Sequence, residues 1–326
     1  MMSKERSVLV TGGNRTGTSW VGRMLTLSKE LFMVWEPFNH LVPVPSFMPQ
    51  NPLQRHFHRI LPEEEKAMKR FIKGKLLLDI KRRQHRPPGS LGAATKFLGI
   101  LITGMKFLTG GCRPLFKDPT ALLSAEWIAR EYDAHVLMMV RHPAAYVASV
   151  KRLGWRAPVE DFTCQPDLLD WLPGYLSEEL LARESQRPEP AEGVFALEAA
   201  VLCWKVFHET IFRYSSENPG WIVVRHEDLA TNYLEGFRRL YMDLGLEWGK
   251  HQAEMVEKHC SSCNELVRGR VNHEFRQDSG KVVRAWMEDL NREELETVRN
   301  LASPVWEKYY TPASWSGSFD SAPNIP

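Results

Sequence analysis

The chain has 326 residues, of which 43% are hydrophobic and 25% are charged; this composition excludes a disordered chain, a collagen-like repeat and a small disulfide scaffold. The formal net charge of +2 does not favour a nucleic-acid-binding protein, so no nucleic-acid partner is predicted. The charge is nevertheless uneven, since residues 51–120 hold 15 basic and 5 acidic side chains, whereas residues 160–200 hold 2 basic and 10 acidic ones.

Short apolar runs that end in turn or charged residues alternate along the chain with segments of helical periodicity. Such runs are typical of parallel strands, because helices cover both faces of a parallel sheet. Strands are predicted at residues 8–11, 31–35, 114–117, 135–141 and 221–225. Helices are predicted at residues 19–28, 124–132, 144–153 and 198–214. The pattern predicts an α/β fold with one central parallel sheet flanked by helices.

Two insertions interrupt this pattern, and both are predicted to be helical or loop additions to a single domain over residues 1–310. The first, about 43–112, has a proline-rich loop, a basic helix-like stretch and an apolar run at 97–105 that is too short to span a bilayer. The second, about 154–197, is acidic and contains several prolines, which predicts a loop or short-helix cap. Residues 311–326 are predicted to form an irregular tail.

The five cysteines are an odd and sparse set, which suits a reducing compartment. Cys260 and Cys263 form a CxxC without a second pair at zinc spacing, so free thiols on a helix are favoured over a metal or redox site. No metal is predicted. The N-terminal residues lack the hydrophobic region of a signal peptide, and the sequence therefore predicts a cytoplasmic protein.

The most informative segment is residues 7–25, where an apolar strand runs through a glycine-rich turn into an amphipathic helix. Such a turn directs backbone N–H groups and the helix dipole at one point, which favours an anion. Gly12 and Gly17 have the spacing of a P-loop, but Thr18 stands where the P-loop lysine should be, which argues against a Mg-dependent nucleotide kinase. Arg15 supplies a cation inside the turn. A tight strand-to-helix turn without a ligand is the alternative interpretation.

A second candidate site follows the fourth predicted strand. Arg141 ends this strand, a His-Pro pair starts the next helix, and Ser149 lies eight residues after Arg141. An arginine and a serine hydroxyl in this arrangement can bind one phosphate, and the arginine can do so through two hydrogen bonds. Taken alone, Arg141 could equally form a salt bridge. Together with the glycine-rich turn, the segment indicates a ligand that carries phosphate at two separated points.

These motifs resemble a known family. Residues 15–20, RTGTSW, resemble the 5′-phosphosulfate loop of sulfotransferases that use 3′-phosphoadenosine 5′-phosphosulfate (PAPS), and residues 141–150, RHPAAYVASV, resemble their 3′-phosphate motif. Residues 34–41, VWEPFNHL, resemble a segment of carbohydrate 6-O-sulfotransferases, and residues 223–248 resemble the family's YEDL segment with its following helix. The resemblance implies an enzyme that transfers the sulfuryl group of PAPS to a hydroxyl of a carbohydrate or glycolipid and releases 3′,5′-ADP.

The resemblance also assigns roles by position. The implied binders are Arg15, Thr16, Gly17, Thr18 and Ser19 for the 5′-phosphosulfate, and Arg141 and Ser149 for the 3′-phosphate. Trp20 matches the aromatic residue that stacks on adenine, with ordinary helix core as the alternative, and Lys281 matches a phosphate contact in a loop that closes over the nucleotide. The family's RDP is RHP here and its YEDL is HEDL, which puts His226 where a tyrosine often approaches adenine.

Sulfuryl transfer needs a base that removes the proton of the acceptor hydroxyl. Glu36, at the end of the second predicted strand, is the first candidate, and His40 is the rival because imidazole suits base chemistry near neutral pH. A salt bridge for Glu36 and an ordinary loop position for His40 are the structural alternatives. Arg15 is predicted to stabilise the negative charge on the leaving phosphate.

Two other classes of function remain open from the sequence. One is a P-loop nucleotide kinase. The other is a non-enzymatic module that binds polyanions or a membrane surface through the basic segment 55–117, and the same segment could give an enzyme peripheral contact with a membrane.

Overall fold

The structure is a computed structural model that describes residues 6–83, 112–186, 195–261 and 279–319. Within these ranges the chain folds around one sheet of five parallel strands. The strands are β1 (Ser7–Thr11), β2 (Leu31–Trp35), β3 (Arg113–Lys117), β4 (Ala134–Val140) and β5 (Ile222–Arg225), in the spatial order β2-β3-β1-β4-β5. The predicted α/β fold with a central parallel sheet is confirmed, and each predicted strand end lies within one residue of the observed one.

Helices cover both faces of this sheet. They are α1 (Thr18–Leu25), α2 (Glu65–Arg83), α3 (Ala125–Glu131), α4 (Pro143–Leu153), α5 (Glu160–Thr163), α6 (Pro166–Trp171), α7 (Gly174–Ser185), α8 (Leu197–Glu217), α9 (His226–Thr231), α10 (Tyr233–Asp243), α11 (Lys250–Cys260), α12 (Ser279–Arg284), α13 (Trp286–Asp289) and α14 (Arg292–Leu301). Short 3-10 helices lie at Pro119–Ser124, Val305–Lys308 and Pro312–Ser316.

The core consists of two clusters, one on each face of the sheet. Phe116, Val136 and Met138 lie in the larger cluster, which includes residues of α2, α4 and α8. Leu115 and Leu137, their neighbours along the strands, lie in the smaller cluster, which includes residues of α1 and α10. Alternate strand residues thus enter opposite cores, which explains why the strands are continuous apolar runs in the sequence.

Two regions differ from the sequence-based expectation. The described part of residues 154–197 contains two short helices, α5 and α6, which fit the expected short-helix cap, and in addition α7, which has 12 residues. The first part of the expected irregular tail is ordered, because Pro312–Ser316 form a 3-10 helix with Trp315 buried.

The apolar run 97–105 and Cys263 lie outside the described residues. In the described ranges, no helix has both the length and the apolar composition needed to cross a membrane.

Candidate active site

All five strands point the same way, so their carboxyl ends meet at one edge of the sheet, which is where open α/β sheets bind ligands. Most of the residues that the sequence singles out lie at this edge or in the segments that follow it. In spatial order the edge carries Glu36 after β2, Lys117 and Asp118 at the end of β3, the turn of residues 12–17 after β1, Arg141 after β4, and His226 and Glu227 after β5. Arg15 and Glu36 thus belong to one edge of the sheet, with β3 lying between their strands.

The turn between β1 and α1, residues 12–17, is fitted tightly against its neighbours; we call it the phosphate loop. A side chain at Gly12, where φ is +137°, would bring a Cβ atom within 2.3 Å of the Met139 carbonyl oxygen. At Gly17, where φ is +100°, a Cβ atom would lie 2.6 Å from Cδ2 of His226. Only glycine meets both requirements at these two positions. Helix α1 then begins at Thr18, so its free N–H groups emerge from this loop.

Among the other predicted residues of the loop and the first turn of α1, some are buried and some are partly open to solvent. Thr16 is buried and its hydroxyl donates to the Gly13 carbonyl at 2.9 Å, while Ser19 is only half-buried. Trp20 donates its ring N–H to Sγ of Cys260 at 3.3 Å and packs edge-on against Phe237. The role of Trp20 in stacking on adenine therefore stays a prediction, and the free thiol of Cys260 has a structural contact.

Arg141 is a buried cation without a carboxylate partner among the described residues. Its Nη1 donates to the Arg15 carbonyl at 2.6 Å, and its Nε is buried without any hydrogen-bond partner. Glu227, a buried acid that interacts electrostatically with Arg141, accepts instead from the backbone N–H of His142 at 2.9 Å and from the Tyr310 hydroxyl at 2.8 Å. Burial lowers the pKa of Arg141. A buried guanidinium in this state favours an anion from outside the chain.

Arg15 joins the two predicted phosphate motifs directly. Its Nε donates to the hydroxyl of Ser149 at 2.9 Å, and its guanidinium lies 5.5 Å from the ring centre of Trp155. Burial and then repulsion from Arg141 and Arg152 lower the pKa of Arg15 to about 10, so the group stays positive at neutral pH. The structure therefore brings Arg15, Arg141 and Ser149 into one electropositive site, as two separate sequence segments predict.

His226, the first residue after β5, lies against Gly17 of the phosphate loop, and its ring is buried. Its imidazole lies 5.4 Å from the ring of Trp20, and its Nδ1 has no hydrogen-bond partner. Burial, followed by the charge of Arg141, lowers the pKa of His226 well below its ordinary value, so the ring is neutral. Lys281 is exposed on α12, which packs against α9, the helix that begins at His226.

Glu36 lies at the other side of the edge and is ion-paired. One carboxylate oxygen is bonded to Nζ of Lys117, and the other accepts from the Asn39 side chain at 2.8 Å. Lys117 is buried, with its ammonium 4.1 Å from the ring centre of Trp35, and burial lowers its pKa. Glu36 itself has φ +44°, which directs the chain sharply away from the strand. The salt bridge considered for Glu36 therefore exists, and its partner is on β3.

His40 lies farther along the same loop, in a different environment. Its ring centre is 4.5 Å from that of His56, and its Nδ1 is buried without a partner. Burial, and then the neighbouring His56, lower the pKa of His40. The backbone N–H of His56 donates to Asp161 at 3.1 Å, so helix α5 of the acidic insertion borders this part of the site.

Sequence reasoning missed Lys117, Asp118 and Glu227. Asp118 is fully buried and accepts hydrogen bonds from the N–H groups of Phe38 at 2.5 Å and Thr120 at 2.9 Å, so it holds the loop after Glu36. Burial raises its pKa to about 7. The Lys-Asp-Pro-Thr sequence carried a signal, because Asp before Pro is a typical helix N-cap.

Among the described residues, no three or more His, Cys, Asp or Glu side chains are arranged to hold a metal ion.

No protein-family model and no curated protein matches the sequence. Several solved structures resemble the chain, among them the following three. A sulfotransferase domain of a Synechococcus olefin synthase has 11% identity and a TM-score of 0.43, over 91% of this chain and 94% of that one. A sulfotransferase domain of the curacin biosynthetic pathway has 14% identity and a TM-score of 0.47, over 92% and 97%. Sulfotransferase STF9 from Mycobacterium avium has 12% identity and a TM-score of 0.40, over 90% and 77%.

Proposed function

We propose that the protein is a sulfotransferase that takes its sulfuryl group from PAPS and transfers it to a hydroxyl of a carbohydrate or glycolipid. The observation that carries the proposal is the buried Arg141, whose Nε lacks a partner and whose Nη1 is bonded to the phosphate loop. An adenine nucleotide with phosphate at both the 3′ and 5′ positions would supply an anion to each half of this site. The free thiols of Cys164, Cys203 and Cys260 support a cytoplasmic location.

The residues present fit such a nucleotide without a metal ligand set. The phosphate loop and the first turn of α1 offer backbone N–H groups, Arg15 and Arg141 offer two positive charges, and the Ser149 hydroxyl accepts a hydrogen bond from Arg15. No lysine follows Gly17, where a nucleotide kinase would place one against the terminal phosphates. The arrangement therefore supports the sulfotransferase over the kinase.

PAPS supplies the group to be transferred: the acceptor oxygen attacks sulfur, the bond from sulfur to the phosphate oxygen breaks, and 3′,5′-ADP leaves with that electron pair. Arg15 stabilises the charge that develops on the leaving phosphate, and it does not donate a proton because it stays protonated. Glu36 accepts the proton of the acceptor hydroxyl. Lys117 and Asn39 hold one carboxylate oxygen each and so fix the orientation of this base.

The proposal is tested by calorimetric titration with 3′,5′-ADP, 5′-AMP and ATP. One charge-assisted hydrogen bond contributes roughly 1.5–3 kcal/mol, so 3′,5′-ADP should bind about 10- to 150-fold more tightly than 5′-AMP. Arg141→Ala should remove that difference, whereas Arg292→Ala, which truncates an exposed arginine on α14, should preserve it. Equal binding of the first two nucleotides to the unaltered protein contradicts the proposal, and preferential binding of ATP favours the kinase.

The acceptor class is tested separately, by transfer of label from PAPS to a panel of sugars, glycolipids and simple alcohols. The resemblance of residues 34–41 to carbohydrate sulfotransferases is the reason for proposing a sugar hydroxyl. Transfer to sugars or glycolipids supports this class, and transfer only to other alcohols replaces it without affecting the nucleotide result.

A further inference from the structure

The outer side of helix α2 carries a row of exposed cations. Lys66, Arg70 and Lys73 are exposed and follow one another at spacings of four and three residues, which places them on one face of the helix. None of the three forms an ion pair with another residue in the part of the chain that the structure describes. Lys69, by contrast, is paired with Glu65 and Glu131, so the row is distinct from the charges that hold α2 to the protein.

An apolar projection lies beside this row. Phe47 is 85% exposed and stands in a turn closed by a 3.0 Å hydrogen bond from the Met48 N–H to the Pro45 carbonyl. The next residues of the loop, Met48 and Pro49, lie against Gly74 of α2, where a Cβ atom would be only 3.1 and 3.3 Å from them. The turn that holds Phe47 is thus attached to α2 one residue after Lys73.

The helix itself continues the apolar part of this surface. Leu77 is 57% exposed and lies one turn after Lys73 on the same side of α2. The surface therefore combines three unpaired cations with an exposed aromatic and an exposed aliphatic side chain. We call Phe47, Lys66, Arg70, Lys73 and Leu77 the α2 face.

The presence of exposed apolar side chains beside the cations indicates which kind of polyanion fits the α2 face. A nucleic acid or a sulfated polysaccharide complements the cations but leaves Phe47 and Leu77 in water. The surface of a bilayer with anionic lipid complements both, because basic side chains bind its headgroups while apolar side chains enter the interface. We propose that the α2 face docks on a bilayer that contains anionic lipid.

The same loop connects this surface to the candidate base. The Asn51 side chain donates to the carbonyl of Pro37, the residue after Glu36, at 3.2 Å, so the segment that holds Phe47 is tied back to the active site. If the proposed function holds, a docked enzyme would meet hydroxyls carried by lipids at the membrane surface. The docking itself does not depend on that function.

The test is sedimentation of the full chain with vesicles of phosphatidylcholine alone or mixed with phosphatidylglycerol. We expect binding to the mixed vesicles only, with an affinity that falls as salt is added. Replacing Lys66, Arg70 and Lys73 together by Gln should lower the partition coefficient about 100-fold, because each cation near an anionic surface contributes roughly a factor of five. Phe47→Ala should lower it about 10-fold.

Matched variants separate the α2 face from general charge and hydrophobicity. Replacing the exposed Arg239, Lys250 and Arg292 by Gln removes the same charge elsewhere, and Met242→Ala removes another exposed apolar side chain; both should bind vesicles like the unaltered protein. Equal effects of the two triple variants, or an unchanged Phe47→Ala variant, overturn the proposal. Salt-sensitive binding of heparin or DNA without binding of mixed vesicles also overturns it.

Discussion

Gly17 stands where the phosphate loop comes closest to His226. A methyl group there would meet the imidazole at 2.6 Å in a backbone conformation that disfavours other residues. We expect Gly17→Ala to weaken 3′,5′-ADP binding by about 10-fold or more, since a strain of roughly 1–2 kcal/mol falls on the loop itself. Calorimetric titration measures this loss.

Gly154 provides the matched control for that substitution. It also has a positive φ, +63°, but a Cβ atom at Gly154 would meet nothing within 4 Å. Gly154→Ala should therefore cost about 1 kcal/mol of unfolding free energy in a urea titration and leave nucleotide affinity unchanged. Similar losses of affinity in both variants would mean that the loop does not form the nucleotide site.

Glu36 is the residue at which the catalytic interpretation is most directly tested. Glu36→Gln keeps the shape and the contact with Asn39 but removes the basicity, so turnover should fall by about 10²–10⁴-fold while 3′,5′-ADP affinity stays nearly constant. Thermal stability should also fall, because the buried Lys117 loses its counterion. Steady-state kinetics with the identified acceptor give the first quantity and thermal unfolding gives the last.

Two comparisons make the result for Glu36 specific. Asn39→Ala removes one hydrogen bond to the carboxylate without removing the base, and it should reduce turnover much less. His40→Asn should also have a small effect. A collapse of turnover in the His40 variant, with near-normal turnover for Glu36→Gln, would transfer the role of base to His40.

The sequence predicted contacts within a motif better than contacts between strands. Arg141 and Ser149 could be placed on one site because a strand end and the following helix are adjacent in the chain. The partner of Glu36 could not be predicted, because its identity depends on β3 lying between β2 and β1, and chain order does not determine strand order. The orphaned Nε of Arg141 is likewise a property of packing that no local pattern contains.

The 3-10 helix Pro312–Ser316 closes over the start of α4. Trp315 is 7% exposed and its ring lies 4.6 Å from that of His142, the residue after Arg141. Trp315→Ala should lower the unfolding free energy by about 3–5 kcal/mol in urea, the range for a buried tryptophan. Ser316→Ala, one residue later and exposed, should change it by less than about 0.5 kcal/mol, and an equal effect of both would mean that this helix does not pack as described.

Elements buried on both faces were predictable, whereas the bounds of the helices in the acidic insertion and of the C-terminal 3-10 helix were not. The strands appear in the sequence as apolar runs because neither side of the sheet meets water. In the acidic insertion, the prolines predicted a loop or short-helix cap without its bounds, and in the structure Pro166 is the first residue of α6. Pro312 starts the C-terminal 3-10 helix in the same way. Proline lacks the N–H that a first helical turn leaves unbonded, so the same residue can end or begin a helix.

Over the whole molecule, buried titratable groups act on stability in opposite directions. Burial lowers the pKa of His142 and of His208 to about 3, so the unfolded chain binds more protons below pH 6.5 and these groups destabilise the fold as pH falls. Burial raises the pKa of Asp118 to about 7 and raises that of Glu227, so these carboxyls stabilise the fold as pH falls over the same range. These two effects therefore oppose each other in the pH dependence of the unaltered protein.

His208 allows one contribution to be isolated. Its Nδ1 lies 2.8 Å from the Trp204 carbonyl and its Nε2 accepts from the Arg141 N–H at 3.3 Å, so the neutral ring is fully bonded. As the pH falls from 6.5 to 4.5, the unfolding free energy of His208→Gln should rise relative to that of the unaltered protein by about 1.4 kcal/mol for each pH unit. Urea titrations at several pH values measure this difference. A difference that does not vary with pH would mean that His208 is charged in the folded protein.

The position of β3 also has a consequence for the evolution of acceptor choice. Adjacent strands lie about 4.8 Å apart, so the strands that end at the phosphate loop and at Glu36 are separated by about 10 Å. That separation belongs to the hydrogen-bonded sheet, whereas the segments that would surround an acceptor, residues 37–58 and helix α5, lie outside the sheet and pack into the core through residues such as Phe57 and Phe162. These segments could be exchanged for those of a related protein without altering the distance between the proposed base and the leaving group. A change of acceptor would then require new loops but no new catalytic framework.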